Sequence, residues 1–109
     1  MIDMDTIKAA AGRLAAAASS PSRIILFGSY GRGQADEGSD LDLMVVEREL
    51  PDKAAEYMRL MDALGRVAPG VSVDLLIYPL REFERRSQVP GTVLYEARVD
   101  GQVLYDALH

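Results

Sequence analysis

Residues 28–42 read GSYGRGQADEGSDLD, with the apolar run IILF directly before them and LMVV directly after. Short apolar runs rich in β-branched residues mark buried strands. The chain therefore leaves one strand on a Gly-Ser step, crosses a polar loop of ten residues, and enters the next strand through two aspartates separated by one leucine. Few folds accept two like charges at the mouth of a core strand. This spacing governs the rest of the reading.

Side chains alternate along a strand, so Asp40 and Asp42 share one side while Leu41, Leu43 and Val45 take the other, with the two acids about 6 to 7 Å apart along the chain. Without a cation their repulsion costs about 0.6 kcal/mol in water and a few kcal/mol at a partly buried site. A third carboxylate, Asp74, stands inside the apolar stretch VSVDLLIY, where propensity and burial both disfavour it.

The neighbouring elements decide where these acids meet. A helix is predicted over residues 4–18, with Asp3 and Asp5 near its start and Ile7, Ala11, Leu14 and Ala18 on one stripe, ended by Ser19-Ser20-Pro21. Strands follow at 23–27, 41–47 and 71–78. Asp52 is a candidate cap for a helix over 53–67, whose apolar face is read as Ala54, Tyr57, Met58, Met61, Leu64 and Val67. A crossover of that length makes the second and third strands parallel. Residues 81–87 form a short helix, REFERRS, with REFERR read as a solvent-exposed face. The tail, TVLYEARVDGQVLYD, is open between a hairpin on its Asp-Gly pair and a helix.

The order is that of an α/β fold: a small mixed sheet of three core strands flanked by helices, in one domain over 1–109. If the first strand runs antiparallel to the second, Gly28 and Ser29 arrive at the edge that carries Asp40, Asp42 and Asp74. Gly28 permits close backbone approach, and Ser29 offers a hydroxyl and an amide at the start of a helical turn, a common phosphate cradle. Three hard oxygen donors suit Mg²⁺ or Mn²⁺, and a pair of such ions stabilises the attacking and leaving oxygens of a phosphoryl displacement.

The remaining residues exclude several classes. With 17 acidic and 12 basic residues the net charge is -5, which disfavours a chain that coats nucleic acid. Cysteine is absent, so there are no disulfides or thiolate metal sites, in keeping with a reducing cytoplasm. No apolar stretch is long enough to span a membrane and the first residues lack the basic region of a signal peptide, so a soluble cytosolic chain is expected. His109 is the single histidine and the last residue, which leaves no histidine triad or zinc site. Asp36, Glu37, Glu47 and Glu49 are read as solvated, and Tyr57, Met58 and Met61 as core.

The combination of GS, ten residues, DLD and a later aspartate in an apolar strand, together with LFGSYGRG, SDLDLMVV and the closing LYD, resembles the minimal nucleotidyltransferase (MNT) family of the DNA polymerase β-like superfamily. The resemblance runs from about residue 23 to residue 106. It implies that Gly28 and Ser29 bind nucleotide phosphates, that Asp40 and Asp42 ligate two Mg²⁺ ions, and that Asp74 joins one ion and helps deprotonate the attacking hydroxyl. Arg32 occupies the position of an arginine that touches phosphate. Gly31 stands where many members have alanine, which is expected to loosen the turn. For the tail, the resemblance implies a helix before a short fourth strand.

Larger relatives that modify antibiotics add a helical domain that shapes the acceptor pocket, and none is expected after residue 109. Stand-alone members of this kind act as antitoxins of HEPN ribonuclease toxins and transfer AMP from ATP to a tyrosine of that partner. The implied function is thus a Mg²⁺-dependent protein adenylyltransferase with a HEPN partner. Two alternatives stand beside it: a non-catalytic module that blocks its partner by complex formation, and a small-molecule nucleotidyltransferase with a helical subunit in trans. The choice of nucleotide and a homo-oligomeric state are left open.

Overall fold

The structure, a computed structural model, describes residues 1–107, so His109 lies outside the described residues. Helix α1 spans Met4–Ala17, started by Asp3, whose side chain accepts from the Thr6 amide at 2.8 Å. Strand β1 spans Pro21–Phe27, and Gly28–Gly31 makes a single helical turn, α2. Strand β2 (Leu41–Glu47) leads through helix α3 (Lys53–Leu64) to strand β3 (Val73–Pro79). Helices α4 (Leu80–Arg86) and α5 (Val93–Asp100) and strand β4 (Gln102–Asp106) complete the chain.

The strands form a mixed sheet in the order β3-β2-β1-β4. Strand β1 is antiparallel to both neighbours, and β2 is parallel to β3, as the crossover helix requires. One face buries Ile24, Leu26, Leu43, Val45, Leu75 and Ile77 against α1 and α3. The other buries Ile25, Phe27, Met44 and Val46 against Phe83 of α4 and Leu94 and Ala97 of α5. The α/β expectation holds, with the fourth strand present. REFERR is not wholly solvent-exposed, because Phe83 is 2% exposed and anchors α4 to this second core.

The tail resolves as helix then strand. Thr92 Oγ1 accepts from the Tyr95 amide and starts α5, and β4 pairs antiparallel with β1. A hairpin at Asp100-Gly101 would have left that edge of β1 without partners, although Ile24, Ile25 and Leu26 are buried there. Satisfying a central strand outweighs the local turn signal.

Helix α3 departs from its sequence reading. It ends at Leu64, with Gly65 at φ 61° as its cap, and its buried positions are Glu56, Leu60 and Leu64. Tyr57 is 39% exposed and Met58 71%, so neither is core, and Ala54 is exposed as well. The helix is rotated by about one residue relative to its apolar pattern because Glu56, a polar residue, points inward with its partners supplied. Its carboxylate accepts from the Ser19 amide at 2.9 Å, from the Ser19 hydroxyl at 3.0 Å and from Arg59.

Glu47 is also fully buried rather than solvated. Its Oε1 accepts from the Ser20 amide at 3.0 Å, and among the described residues no N–H or hydroxyl donor reaches its Oε2. Burial and the neighbouring Glu56 push the Glu47 carboxyl up, to about 7, so Oε2 keeps its proton and donates to Glu56. Glu56 goes the other way: hydrogen bonds from Glu47, Ser19 and Arg59 outweigh the burial that would raise it. The pair shares one proton and ties the α1–β1 turn to β2 and α3. Glu49, Asp36 and Glu37 are exposed as read.

A group whose folded pKa is raised stabilises the fold while protonated, and that contribution is lost as pH rises through the folded value. The melting temperature of the wild type should fall as pH rises through about 7 relative to that of Glu47→Gln, which keeps a donor for Glu56 at every pH. Parallel pH profiles for the two proteins would contradict the shared proton.

Candidate active site

Antiparallel pairing of β1 with β2 sets Phe27 opposite Asp42, so the chain leaves β1 beside the first acid of β2. Gly28 follows with φ +67°, a conformation that L side chains rarely adopt. A Cβ on Gly28 would stand 2.1 Å from Asp42 Oδ2. The Gly28 backbone therefore rests directly against the Asp42 carboxylate.

Parallel pairing sets Asp42 directly beside Asp74. Facing residues on adjacent strands lie about 5 Å apart, and like charges there are destabilising. Asp40 sits one residue before β2, in the loop. Burial first, then repulsion from Asp74, a hydrogen bond shared with Asp74, and the charges of Asp40 and Glu96 push the Asp42 carboxyl up to about 6. The sequence reading assigned the burial cost to Asp74, but Asp74 is exposed on the edge strand β3 and Asp42 carries that cost. The three acids are brought to one end of the sheet. Among the described residues, no group of three His, Cys, Asp or Glu side chains is gathered tightly enough to cage a metal ion.

Helix α2 begins at Gly28 with no side-chain cap at its N-terminus, so its first amides and the Ser29 hydroxyl have no capping partner among the described residues. Tyr30 and Gly31 hold this turn from behind. The Tyr30 hydroxyl accepts from the Ile2 amide at 3.1 Å, and the Gly31 carbonyl accepts from Gln102 Nε2 at 3.1 Å. An alanine at 31 would bring its Cβ to 2.6 Å from the Leu26 carbonyl oxygen. The expected loosening at Gly31 is thus reversed: in this chain the glycine lets α2 seat closely on β1.

Arg32 is not free in the loop. Its Nη1 donates to Glu96 Oε1 at 2.6 Å and its Nε to Gln34 at 3.2 Å. Glu96, which also faces Asp42, has no signal in the sequence, because α5 reaches the site only through β4 pairing with β1. A cleft of about 440 Å³ opens beside the acids, lined by Phe27, Asp42, Tyr57, Asp74, Leu75, Leu76 and Val93. Acids at one end, apolar and aromatic walls along it and an uncapped Gly-Ser turn alongside suit a phosphorylated ligand brought in with a cation.

Such a sheet, with a Gly-Ser turn and paired acids at one end, defines an α/β domain of the nucleotide-handling kind. The profile of the family described as "Polymerase beta, Nucleotidyltransferase" matches residues 13–107, and the chain belongs to that family. Two proteins of Methanocaldococcus jannaschii, each named as a candidate protein adenylyltransferase, are 38% identical over 58 residues and 44% identical over 55 residues. These matches cover 53% and 49% of this chain, which spans about half the length of these relatives, 56% and 53%. Among solved structures, a chain of a toxin–antitoxin complex with AMP-PNP aligns over 96% of this chain and 76% of its own, with TM-score 0.66 and 24% identity. A chain from the complex of tri-AMPylated Shewanella oneidensis HEPN toxin with MNT antitoxin aligns over 96% and 73%, with TM-score 0.61 and 24% identity. These two structures show the likeness of fold.

Two measurements probe this geometry. Gly28→Ala should cost about 2 kcal/mol in chemical denaturation, whereas Gly33→Ala, at φ +72° but facing open space, carries backbone strain alone, about 1 kcal/mol. Equal losses would remove the Gly28–Asp42 contact from the account. Because the folded pKa of Asp42 is raised, its ionisation removes stability as pH rises through about 6. Without divalent cations, Asp42→Asn should therefore melt about 4 °C above the wild type near pH 8, with no gain near pH 4, allowing for screening at a half-exposed group.

Proposed function

We propose that this chain is a Mg²⁺-dependent nucleotidyltransferase that moves AMP from ATP to a hydroxyl of a HEPN-type partner protein, and thereby acts as the antitoxin of a ribonuclease toxin. One observation carries the reading: Asp42 and Asp74 are register partners on parallel strands, and the Gly28 backbone packs against Asp42. That arrangement is costly to the folded chain alone, and a cation-bound triphosphate relieves it. The family model and the relatives named as candidate protein adenylyltransferases support the transfer chemistry. The structural neighbours from toxin–antitoxin complexes, one with AMP-PNP and one with an AMPylated HEPN toxin, support the nucleotide and the partner.

The donor set fits the ion. Asp40, Asp42 and Asp74 are hard oxygen ligands, and Mg²⁺, or Mn²⁺ in its place, prefers such oxygens with phosphate completing the shell. Two bound ions would supply charge neutralisation at the phosphates and on the attacking and leaving oxygens. The chain's own groups do the rest. Gly28 and Ser29 present amides and a hydroxyl to the phosphate oxygens. Arg32, oriented by Glu96 and Gln34, adds a guanidinium on the same side. Asp74, exposed at the sheet edge, takes the proton of the incoming hydroxyl. An acceptor hydroxyl from another protein would enter the cleft walled by Tyr57 and Val93 to reach Asp42 and Asp74.

Incubation with ATP, Mg²⁺ and a HEPN-type partner protein should yield AMP-modified partner and pyrophosphate. Asp42→Asn should reduce the yield at least about a hundredfold, a typical loss for a group stabilising transition-state charge. ATP with Mg²⁺ should also raise the melting temperature of the wild type but not of Asp42→Asn. Undiminished modification by Asp42→Asn would overturn the assignment, and a partner neutralised equally well by that variant would favour inhibition by complex formation.

A further inference from the structure

Tyr57 departs from its sequence pattern. Helical spacing places it in the core, yet it is 39% exposed and forms part of the cleft wall with Asp42 and Asp74. Tyr30, Tyr78, Tyr95 and Tyr105 are each engaged elsewhere. The Tyr30 hydroxyl accepts from the Ile2 amide, the Tyr78 ring lies under Lys53 at 4.9 Å, and the Tyr95 ring lies under Arg98 at 5.5 Å. Tyr105 packs half-buried on the α1 and α3 side of the sheet. Tyr57 is the tyrosine in the wall of the cleft that holds Asp42 and Asp74, and no hydrogen bond or ring contact among the described residues occupies it. A phenol without partners, in the wall of a cleft that also holds Asp74, is a hydroxyl nucleophile in one cavity with a carboxylate that could accept its proton.

We propose that Tyr57 is a self-acceptor: with no partner in the cleft, the chain transfers a nucleoside monophosphate to its own Tyr57 hydroxyl. This rests on the transferase reading above. The phenolic oxygen forms a bond to the α-phosphorus of ATP, the bond from that phosphorus to the oxygen bridging to the β-phosphate breaks, and pyrophosphate leaves with that bridging oxygen. The phenolic proton passes to the Asp74 carboxylate and from there to water, and nothing is oxidised or reduced. The product is a phosphodiester between Tyr57 and adenosine, lodged in a cleft of about 440 Å³, where it excludes a partner's acceptor side chain. Self-modification would thus mark and silence chains that have no partner.

The purified wild-type chain, incubated with ATP and Mg²⁺ and no other protein, is read by intact mass and by peptide mapping. One AMP adduct is expected, on Tyr57, and it should be absent from Asp42→Asn and from Tyr57→Phe, which keeps the ring and the wild-type melting temperature. In a mixture of Asp42→Asn with Tyr57→Phe, neither chain should be labelled, because the reaction is within one chain. A wild type without an adduct, an adduct that survives Tyr57→Phe, or labelling of the Asp42→Asn chain in the mixture would each overturn the inference. The nucleotide-dependent thermal shift separates the two levels. If the shift is present without an adduct, only the self-acceptor role falls; if both are missing for the wild type, the transferase reading falls with it.

Discussion

The interaction on which the structure turns is an unfavourable one, the facing of Asp42 and Asp74 across two parallel strands. At about 5 Å this costs a few kcal/mol in a partly shielded setting. The sheet sustains it because the strands carry it on a fully buried frame: Leu41, Leu43, Met44, Val45 and Val46 in β2 are all 0% exposed. Each such side chain contributes roughly 1.5 to 3 kcal/mol on leaving water, so β2 alone offsets the repulsion at its mouth several times over. Register is then set by the core and not by the acids, because a slip of one residue would carry every buried side chain of β2 to the opposite face of the sheet, into the other core.

The same logic says which parts of the fold were legible in the sequence. Strands β1 and β2, the crossover helix and the parallel β3 follow from apolar runs and connection length, and with them the meeting of Gly28, Ser29, Asp40, Asp42 and Asp74 at one end. The register that makes Asp42 and Asp74 direct neighbours is a further finding of the structure, since topology alone makes the two strands adjacent and parallel. What the pattern could not supply was exposure. VSVDLLIY reads as a strand buried on both faces, but β3 is an edge, so Asp74 meets solvent and Asp42 takes the desolvation. Strand order is a property of the whole chain, decided when β4 takes the far side of β1.

Helix α3 shows a second limit. An apolar stripe was present at Tyr57, Met61 and Leu64, and the helix turned away from it to bury Glu56, Leu60 and Leu64. Burying a carboxylate is unfavourable unless its partners are supplied, and here they come from Ser19, Arg59 and the protonated Glu47, residues 3 to 37 positions away from Glu56. No local periodicity encodes that network. Its consequence is functional as much as structural, since the rotation that places Glu56 inward is what delivers Tyr57 to the cleft.

Charge placement separates the two ends of β2. At the Glu47 end the carboxyl pair is neutralised from within: one proton is shared, and the Ser19 and Ser20 amides and Arg59 complete the set. At the Asp42 end no comparable compensation exists among the described residues. Asp40 and Asp74 are further acids, Glu96 adds a fourth, and Arg32, the cation on this side, is bound to Glu96 and not to Asp42. Two acid pairs on the same strand have therefore been treated in opposite ways, one closed with the chain's own donors and one left open to solvent beside an uncapped turn. A fold under selection for stability alone would close both. The open end makes sense if the missing positive charge arrives with the ligand, so that binding relieves the strain that folding leaves in place.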